Sequence, residues 1–330
     1  MQHFNAFRIH VGEDGSTRSG LESMTLDELS AGDVTIRVEY SSVNYKDALA
    51  ATGRGRILRR SPLIGGIDAV GEVVSSETQA FAAGQPVIVV GCGLAETRDG
   101  AYADYLRVPG DCVEPLPPGL SCYDAAVLGT AGFTAALAVL RMEENHQSPD
   151  LGPVLVSGAS GGVGSMAVDM LAARGYEVHA LTGKPESSAQ WLRSLGAHAI
   201  IDRRSLQPGT RPLEKALWGG AVDNVGGEVL AWMTRTVQPH GSIAAIGLAG
   251  GAELNTTVMP FILRGVNLLG INSAYCSAAL RSAVWQRLGG DMRPPHLQDI
   301  AGETVGLDGL PRIFERMMDG RVQGRVVVRM

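Results

Sequence analysis

The chain has few of the residues that mark disulfide-rich, zinc-binding or nucleic-acid-binding proteins. Only four of its 330 residues are cysteine, and none belongs to a Cys-x-x-Cys pair: Cys92, Cys112, Cys122 and Cys276. This scatter indicates neither a disulfide framework nor a zinc knuckle. The net charge of -6 disfavours broad binding to nucleic acids or anionic membranes. Aromatic residues make up 5% of the chain, so they give no measure of the size of a substrate pocket.

Long apolar segments are also scarce. We find no apolar run of the length that a transmembrane helix requires. The first nine residues, Met1–Ile9, lack the apolar core of a signal peptide and alternate like a β-strand. With the cysteines expected to be reduced, these absences predict a soluble cytoplasmic protein.

The chain does contain enough apolar sequence for a sizeable core, since 45% of its residues are hydrophobic. Its length allows one large or two moderate domains. The first third consists of short segments that alternate with the period of half-buried strands, which predicts a β-rich domain. We predict its strands at residues 33–40, 67–74, 85–90 and 102–108.

The pattern changes after residue 121. Residues 123–141 are alanine-rich and predict a helix that is interrupted around Gly129. Further on, apolar strands alternate with helical patterns, which is typical of a parallel sheet covered by helices on both faces. We predict strands at 154–157, 177–182, 199–202, 221–223, 242–246 and 267–271. The tail adds a helix at 310–318 and a strand at 325–329, and we expect this strand to join the first domain.

A glycine-rich turn, Gly158–Gly164, lies between the first of these parallel strands and a helical segment. Strand, glycine turn and helix form the context that a dinucleotide pyrophosphate needs. Glycines let the backbone approach the phosphates, and the helix N-terminus offers free N–H groups. The spacing is Gly-x-x-Gly-x-x-Gly rather than Gly-x-Gly-x-x-Gly, so an ordinary strand-to-helix turn is the alternative.

The residues after the second parallel strand indicate which dinucleotide is bound. Proteins that bind NAD usually carry an acid about 20 residues past the glycines, but here that place holds Thr182, Gly183 and Lys184. A hydroxyl and a lysine bind a 2′-phosphate that a carboxylate would repel, and Arg203 and Arg204 add charge nearby. We therefore predict NADPH. The alternative is that these cations are solvated loop charges.

Several longer phrases resemble one known family. They are residues 41–50, 66–71, 129–135, 247–251, 256–264 and 323–325. Together they closely resemble the NADPH-dependent acrylyl-CoA reductases, a zinc-free, quinone-oxidoreductase-like branch of the medium-chain dehydrogenase/reductase superfamily, and the likeness runs nearly end to end. It implies an α/β fold with a GroES-like β-rich catalytic domain (1–124 with 290–330) and a Rossmann domain with a doubly wound parallel sheet that binds NADPH (125–289).

The resemblance also implies cofactor contacts. Ser160, Gly161, Gly162 and Val163 would hold the pyrophosphate, and Thr182, Gly183, Lys184 and Arg203 would surround the 2′-phosphate. Further contacts are expected at the sheet edge, from the tail and from the first domain: Leu248, Ser273, Arg325 and Tyr45.

Zinc is not expected. The metal ligands of zinc alcohol dehydrogenases would fall at Asn44 and Ile67, and no cysteine lies in residues 125–135, where another ligand would be expected. Catalytic zinc needs three protein ligands. The reaction that the resemblance implies is hydride transfer from NADPH to the β-carbon of a 2-enoyl thioester, with charge developing on the thioester oxygen.

Tyr45 is the first candidate for the polar role in this chemistry, because it lies in the loop that carries a zinc ligand in relatives. It would hydrogen-bond the enolate oxygen, deliver the proton or contact the nicotinamide ribose; alternatively it is a wall residue of the pocket. Asn44 would be a second donor. Lys46 and Asp47 would pair with each other or hold the loop.

A basic loop, Gly53–Arg60, follows directly and contains four arginines. Arg54 and Arg56 are candidates for gripping the phosphates of coenzyme A, because arginine suits bidentate phosphate contacts. A solvated basic loop is the alternative.

Two other functions stay open on the sequence alone. One is an NADPH:quinone oxidoreductase, although those relatives usually carry Asn-Pro-x-Asp where this chain has Asn-Tyr-Lys-Asp at 44–47. The other is a catalytically idle NADPH-binding protein. From the resemblance we also expect a homodimer joined through the nucleotide-binding domains, along the apolar edge strand at 267–271.

Overall fold

The structure is a computed structural model that describes residues 3–330, so the first two residues of the predicted N-terminal strand lie outside the described residues. The chain divides into two compact units. Unit 1 contains the residues up to Thr130, with Ala274–Gly290 and Leu297–Met330, and unit 2 contains Ala131–Ser273 with Asp291–His296.

The strands of unit 1 are β1 (His3–Val11), β2 (Thr17–Thr25), β3 (Val34–Ser42), β4 (Leu63–Ile64), β5 (Asp68–Ser76), β6 (Pro86–Val90), β7 (Tyr105–Val108), β8 (Glu114–Pro115), β15 (Ala301–Val305) and β16 (Arg325–Arg329). The strands of unit 2 are β9 (Val154–Ser157), β10 (Val178–Thr182), β11 (Ala197–Asp202), β12 (Gly220–Asp223), β13 (Ser242–Ala245) and β14 (Asn267–Gly270).

The helices are α1 (Tyr45–Ala51), α2 (Cys122–Glu144), α3 (Gly162–Ala173), α4 (Pro185–Ser194), α5 (Gly227–Thr236), α6 (Met259–Arg264), α7 (Ala278–Leu288), α8 (Leu297–Ile300) and α9 (Leu310–Met318). Short 3₁₀ turns lie at Leu26–Glu28, Gly110–Cys112, Pro149–Leu151, Arg203–Ser205 and Leu307–Gly309.

Unit 1 contains two sheets. A three-stranded sheet has the order β2-β1-β4, and a seven-stranded sheet has the order β15-β16-β3-β5-β6-β8, with β7 paired to β3. Strand β16 pairs antiparallel with β3, which confirms that the tail strand returns to the first domain. An aromatic cluster of Phe7, Tyr102 and Phe314 lies in the core beneath the smaller sheet.

Unit 2 is built on one six-stranded parallel sheet with the order β11-β10-β9-β12-β13-β14. Numbered within the unit, this is 3-2-1-4-5-6, the order of dinucleotide-binding sheets. All six predicted strands are present within two residues of their predicted ends. The doubly wound parallel sheet predicted from the sequence is therefore confirmed.

The long helix α2 corrects one prediction about apolar segments. By length and composition it could cross a membrane, so the expectation that no segment is long enough was wrong. Its most apolar window is 83% buried inside the protein, which is also what a core helix shows. The helix is broken at Gly129, whose φ of 45° and ψ of -152° are not helical.

The cysteines correct a second prediction. Cys92 and Cys112 form a disulfide bond with their Cα atoms 5.8 Å apart, whereas we expected no disulfide and reduced thiols. Strand β6 pairs antiparallel with β8 such that Ile88 lies opposite Glu114. The residues that follow β6 therefore lie beside those that precede β8, a proximity that spacing along the chain does not reveal. Cys122 and Cys276 are free thiols.

The unit boundaries also differ from the predicted domain limits of 124/125 and 289/290. The first division falls after Thr130, inside α2, and residues 274–290 belong to unit 1 rather than to the parallel-sheet unit. Within unit 1, Arg281 of α7 forms a buried ion pair with Glu114, at 3.0 Å. This contact ties α7 to the β-rich unit although its sequence position continues the strand–helix alternation.

Candidate nucleotide and substrate sites

The glycine-rich turn lies between β9 and α3 in unit 2. Gly158 has a φ of 58°, and a Cβ at Gly164 would lie 2.3 Å from the carbonyl oxygen of Gly158. Gly161 is the N-cap of α3, whose first N–H groups have no partner within the helix. Glycine is therefore required at both ends of the turn. The Gly161 N–H donates to the Gly158 carbonyl at 2.9 Å, so the N–H groups at the start of α3 are the ones that can bind a phosphate.

The residues predicted to surround a 2′-phosphate are close together. The hydroxyls of Ser160 and Thr182 are 3.2 Å apart, and the backbone N–H of Lys184 donates to Thr182 Oγ1 at 3.1 Å. The guanidinium of Arg203 lies 3.5 Å from where a Cβ at Gly183 would be. Burial lowers the pKa of Lys184.

The two arginines after β11 differ in their partners. Arg204 pairs with Asp202, at 2.9 Å, and with Glu186. Within residues 3–330, no carboxylate forms an ion pair with Arg203. Of the two arginines, Arg203 is thus the one whose charge is available to an anion, and its contact with a 2′-phosphate stays a prediction.

The other predicted cofactor contacts of unit 2 lie at the same sheet edge. Leu248 follows β13 and is exposed. Ser273 follows β14, and its hydroxyl accepts a hydrogen bond from Thr134 at 2.8 Å. In a parallel sheet, loops after successive strands meet at the carboxyl edge, where ligands bind.

Sequence reasoning missed Asn224, which follows β12 at this edge. Its backbone N–H donates to Ser157 Oγ at 2.9 Å and its side-chain amide to the Ser157 carbonyl at 2.8 Å, while its Oδ1 is buried without a partner among the described residues. Asp223 holds the loop by accepting from the Gly226 N–H at 2.7 Å. The signal in the sequence was two polar residues, Asp223 and Asn224, at the end of a buried strand.

In unit 1, Tyr45 is the first residue of α1. Its side chain is 45% exposed, and it makes no hydrogen bond to any residue of the described part of the chain. Asn44 is the N-cap and accepts the backbone N–H three residues on, while the Asp47 carboxylate accepts the Asn44 N–H at 2.9 Å. This capping box fixes the start of the helix and hence the position of the Tyr45 backbone.

A buried polar cluster lies beneath α1, and we call Ser42, Asn44, Asp68, Thr130 and Arg325 the Asp68 cluster. The Asp68 carboxylate accepts hydrogen bonds from Ser42 Oγ at 2.5 Å, Asn44 Nδ2 at 2.8 Å and the Thr130 N–H at 2.9 Å. The sequence predicted no role for Asp68. The available signal was an acid at the buried start of a strand, directly before the apolar residues 69–71.

Arg325 was predicted to contact the cofactor, but its guanidinium is only 3% exposed. Its five N–H groups donate to Val127 O, Val43 O, Asn44 Oδ1, Ser42 Oγ and Asp68 Oδ2. Burial lowers the pKa of Arg325, although the negative charge of Asp68 acts in the opposite direction. Here Arg325 stabilises unit 1, and a direct cofactor contact stays a prediction.

The same cluster holds Asn44. Its Oδ1 accepts from Arg325 at 3.2 Å and its Nδ2 donates to Asp68, so the amide is anchored at both ends. An amide nitrogen carries two N–H groups, and only one of them has a partner among the described residues. The predicted donor role of Asn44 is therefore compatible with this geometry.

Lys46 and Asp47 do not pair with each other. Lys46 Nζ lies 2.7 Å from Glu96 Oε2. Asp47 is buried, and burial together with the charge of Asp68 raises its pKa to about 7. Burial also raises the pKa of the neighbouring Tyr102 phenol well above its usual range. Lys46, through Glu96, and Asp47, through the Asn44 N–H, thus hold the loop, which was one of the two roles predicted for them.

Residues of the basic loop line two cavities. One cavity of about 390 Å³ is lined by Lys46, Arg56, Ile57, Leu58, Arg59 and Glu96. A second cavity of about 540 Å³ lies along the loop and also includes Arg56. Arg54 lines neither cavity.

Within residues 3–330, no group of three or more His, Cys, Asp or Glu side chains is placed to hold a metal ion. The absence of zinc stays a prediction that rests on the residues at 44 and 67.

Two family models match the chain. The alcohol dehydrogenase GroES-like domain matches residues 30–118, and the zinc-binding dehydrogenase model matches residues 162–288. The GroES-like domain and the Rossmann domain expected from the sequence are thus both confirmed.

Curated relatives match over nearly the whole chain. The putative quinone oxidoreductase YhfP of Bacillus subtilis is 48% identical over 94% of this chain and 94% of its own. The probable acrylyl-CoA reductase AcuI of Escherichia coli is 44% identical, over 96% and 97%. The acrylyl-CoA reductase AcuI of Ruegeria pomeroyi is 43% identical, over 98% and 98%.

Solved structures match in fold as well. The YhdH oxidoreductase of Salmonella enterica in complex with NADP is 44% identical with a TM-score of 0.95, and the match covers 99% of each chain. The YhfP protein of Bacillus subtilis with NAD bound is 46% identical with a TM-score of 0.96, and the match covers 100% of each chain.

Proposed function

Because the chain belongs to the acrylyl-CoA reductase family, in the quinone-oxidoreductase-like branch of the medium-chain dehydrogenases/reductases, we propose that it reduces acrylyl-CoA with NADPH. The product is propionyl-CoA. The substrate is supported by relatives of matching length that are named for this activity at 43–44% identity. The cofactor is supported by Thr182, Lys184 and Arg203, which gather where NAD-binding proteins carry an acid.

The residues of unit 2 fit a dinucleotide. The turn at Gly158–Gly164 presents N–H groups that have no helical partner, and the buried Oδ1 of Asn224 offers an unpaired acceptor at the same edge. Ser160 to Val163 would bind the pyrophosphate, and Lys184 with Arg203 would bind the 2′-phosphate. Bound NADPH supplies the hydride for the reaction.

The residues of unit 1 supply the polar chemistry. The exposed phenol of Tyr45 donates a hydrogen bond to the thioester oxygen as charge develops there, or delivers the proton that the α-carbon takes up. Asn44 adds its second N–H. The Asp68 cluster holds the Asn44 amide, and α1 holds Tyr45, so both donors are fixed before the substrate arrives.

The substrate's nucleotide would be held by the basic loop, with Arg54 and Arg56 as the proposed phosphate contacts. Among the described residues neither arginine forms an ion pair, so their charges are not neutralised by neighbours. If the double variant Arg54→Ala and Arg56→Ala left the KM for acrylyl-CoA unchanged, this contact would be wrong.

The cofactor preference has a direct test. We expect Lys184→Ala and Arg203→Ala each to raise the KM for NADPH about 10-fold, since a charge-assisted hydrogen bond is worth about 1.5–3 kcal/mol. The KM for NADH should stay unchanged, because NADH lacks the 2′-phosphate. Arg204→Ala is the control, since Arg204 is neutralised by Asp202 and Glu186. Equal losses with both cofactors would contradict the assignment.

A second candidate is quinone reduction, favoured by the Bacillus subtilis relative that is named a putative quinone oxidoreductase. The assay follows NADPH absorbance with acrylyl-CoA, crotonyl-CoA and a quinone in parallel. Oxidation with the quinone alone would overturn the proposal. No oxidation with any of the three would favour an idle NADPH-binding protein.

We further propose that the protein acts in the cytoplasm, where both NADPH and acyl-CoA thioesters are found, and that it forms a homodimer through unit 2. Strand β14 ends the parallel sheet with a single neighbour, β13. The adjacent α6 and its N-cap expose apolar side chains: Val258 at the cap and Met259, Ile262 and Leu263 in the helix. An unpaired edge beside an apolar surface suits a second copy of the same chain.

A further inference from the structure

The residues that line the cavity of about 390 Å³ beside α1 carry an excess of positive charge. Three of its lining residues are cations, Lys46, Arg56 and Arg59, and one is an acid, Glu96. Lys46 follows Tyr45 directly on the first turn of α1, so the cavity begins one residue from the proposed catalytic phenol. Its lining lies entirely within unit 1.

Glu96 forms ion pairs with two of the three cations. Its Oε2 lies 2.7 Å from Lys46 Nζ, and its Oε1 lies 3.0 Å from Arg59 Nε and 3.2 Å from the Tyr275 hydroxyl. Burial raises the pKa of Glu96, but these hydrogen bonds and charges outweigh burial and leave the pKa below its ordinary value. Glu96 is therefore an anion at neutral pH.

Arg56 is the cation that Glu96 does not reach. It forms no ion pair within the described chain, and it lines both the 390 Å³ cavity and the neighbouring 540 Å³ cavity. Three cations and one carboxylate leave a net charge of about +2 around the smaller cavity. A space of this size and charge suits a phosphate group carried on a larger molecule.

We propose that this cavity binds a phosphate of the coenzyme A nucleotide and that Glu96 is a specificity-determining residue which competes with that phosphate for Lys46 and Arg59. The proposal rests on the proposed function, because it takes the substrate to be an acyl-CoA thioester. When the phosphate binds, Lys46 and Arg59 leave Glu96 and contact the phosphate, and Arg56 contacts it as well. Glu96 thereby limits how tightly the phosphate is bound, and it does not act on a ligand that carries no phosphate.

A purely structural role for Glu96 makes the opposite prediction. If Glu96 only held Lys46 and Arg59 in place, its loss would weaken substrate binding. If it competes with phosphate, the neutral Glu96→Gln variant binds the nucleotide more tightly. Glutamine keeps the size and one acceptor of the glutamate but removes the negative charge.

The experiment compares acrylyl-CoA with acrylyl-pantetheine, which keeps the reacting thioester and lacks every phosphate. We expect Glu96→Gln to lower the KM for acrylyl-CoA about threefold and Arg56→Ala to raise it between about threefold and thirtyfold. Neither variant should change the KM for acrylyl-pantetheine by more than about twofold. Arg18→Ala, which removes an exposed arginine outside both cavities, is the matched control and should change neither KM.

Inorganic pyrophosphate gives a second readout that needs no turnover. Titration calorimetry should show tighter binding to Glu96→Gln and weaker binding to Arg56→Ala than to the wild type, and added salt should weaken all three. An unchanged or higher KM for acrylyl-CoA in Glu96→Gln would overturn the proposal. A wild type that reduces neither thioester would instead overturn the proposed function.

Discussion

Asp68 shows how one buried residue organises a site that no local pattern reveals. Its hydrogen-bond partners come from β3, from the turn before α1, from the break in α2 and from the tail strand. We predict that Asp68→Ala lowers the free energy of unfolding by about 3–5 kcal/mol, because the buried Arg325 loses its counter-ion. Urea unfolding measures this loss.

The control is Glu72→Gln, which breaks an exposed ion pair with Arg37. Exposed pairs contribute about 0–1 kcal/mol, so we expect little change. A loss in Asp68→Ala no larger than that in Glu72→Gln would show that Asp68 does not support Arg325.

Asp47 makes stability depend on pH. Its pKa of about 7 in the folded protein lies above the value of 3.8 for an ordinary aspartate. Folding therefore favours the protonated form of Asp47. The contribution of Asp47 to the stability of the fold is complete below about pH 4 and is lost as the pH rises through about 7. Relative to Asp47→Asn, the wild type should become less stable between pH 5 and 8, by at most about 1.4 kcal/mol per pH unit.

Denaturant unfolding at several pH values tests this slope. Asp202→Asn is the control, since hydrogen bonds from Arg204 lower the pKa of this partly exposed aspartate, which therefore stays ionised over the same range. A difference between wild type and Asp47→Asn that did not vary with pH would contradict the titration of Asp47.

Residues whose partners are near in sequence were predictable, and residues whose partners are distant were not. Thr182, Lys184 and Arg203 follow neighbouring strands of one parallel sheet, so strand order alone brings them together. Asp68 and Glu96 acquire their roles from residues on other elements, as Glu96 does from Lys46. No periodicity along the chain encodes such pairs.

At the scale of elements, the break in α2 is required by the Asp68 cluster. A Cβ at Gly129 would lie 2.4 Å from Asp68 Oδ2 and 2.6 Å from Ser42 Oγ, and the φ of 45° disfavours other residues. We predict that Gly129→Ala lowers the free energy of unfolding by about 3 kcal/mol or more. Gly20→Ala in β2, where a Cβ meets nothing within 4 Å, should change it by less than about 1 kcal/mol. Equal effects of the two would remove the steric argument.

The disulfide gives a second prediction at this scale, because it joins the second residue after β6 to the 3₁₀ turn before β8. We expect two reactive thiols per chain, Cys122 and Cys276, when the purified protein is unfolded without a reductant, and four after reduction. Thiol titration counts them. Four thiols before reduction would show that Cys92 and Cys112 are not joined.

Elements that are buried were predicted well, and exposed ones were not. The six strands of the parallel sheet are apolar runs, because both faces of the sheet are covered. Strand β2 escaped prediction, since six of its nine residues are polar, only two are buried, and it forms the edge of a small sheet. Its position depends on pairing with β1, which is a tertiary contact.

At the scale of the whole molecule, the chain passes between the two units four times. The first passage falls close to where the composition changes, after Thr130, and the sequence-based domain limit lies at 124/125. The later passages leave no trace in the composition, because α7 has an ordinary helical sequence and the ion pair of Arg281 with Glu114 ties it to unit 1. Such long-range contacts determine domain membership without leaving a compositional boundary.

The last prediction concerns assembly. If two copies join through β14 and α6, replacing Ile262 with lysine places a charge in an apolar interface. The Ile262 side chain is 70% exposed in the isolated chain, so the substitution should leave the fold of unit 2 intact. We expect a dimer at micromolar concentration for the wild type and a monomer for Ile262→Lys, as measured by light scattering after size-exclusion chromatography.

Leu21→Lys serves as the control, since Leu21 is also exposed and apolar but lies on β2 in unit 1. It should remain dimeric, because a general loss of surface hydrophobicity does not disrupt a specific interface. A wild type that is monomeric at micromolar concentration would refute the dimer. If the Ile262→Lys variant stayed dimeric, the interface would not include α6.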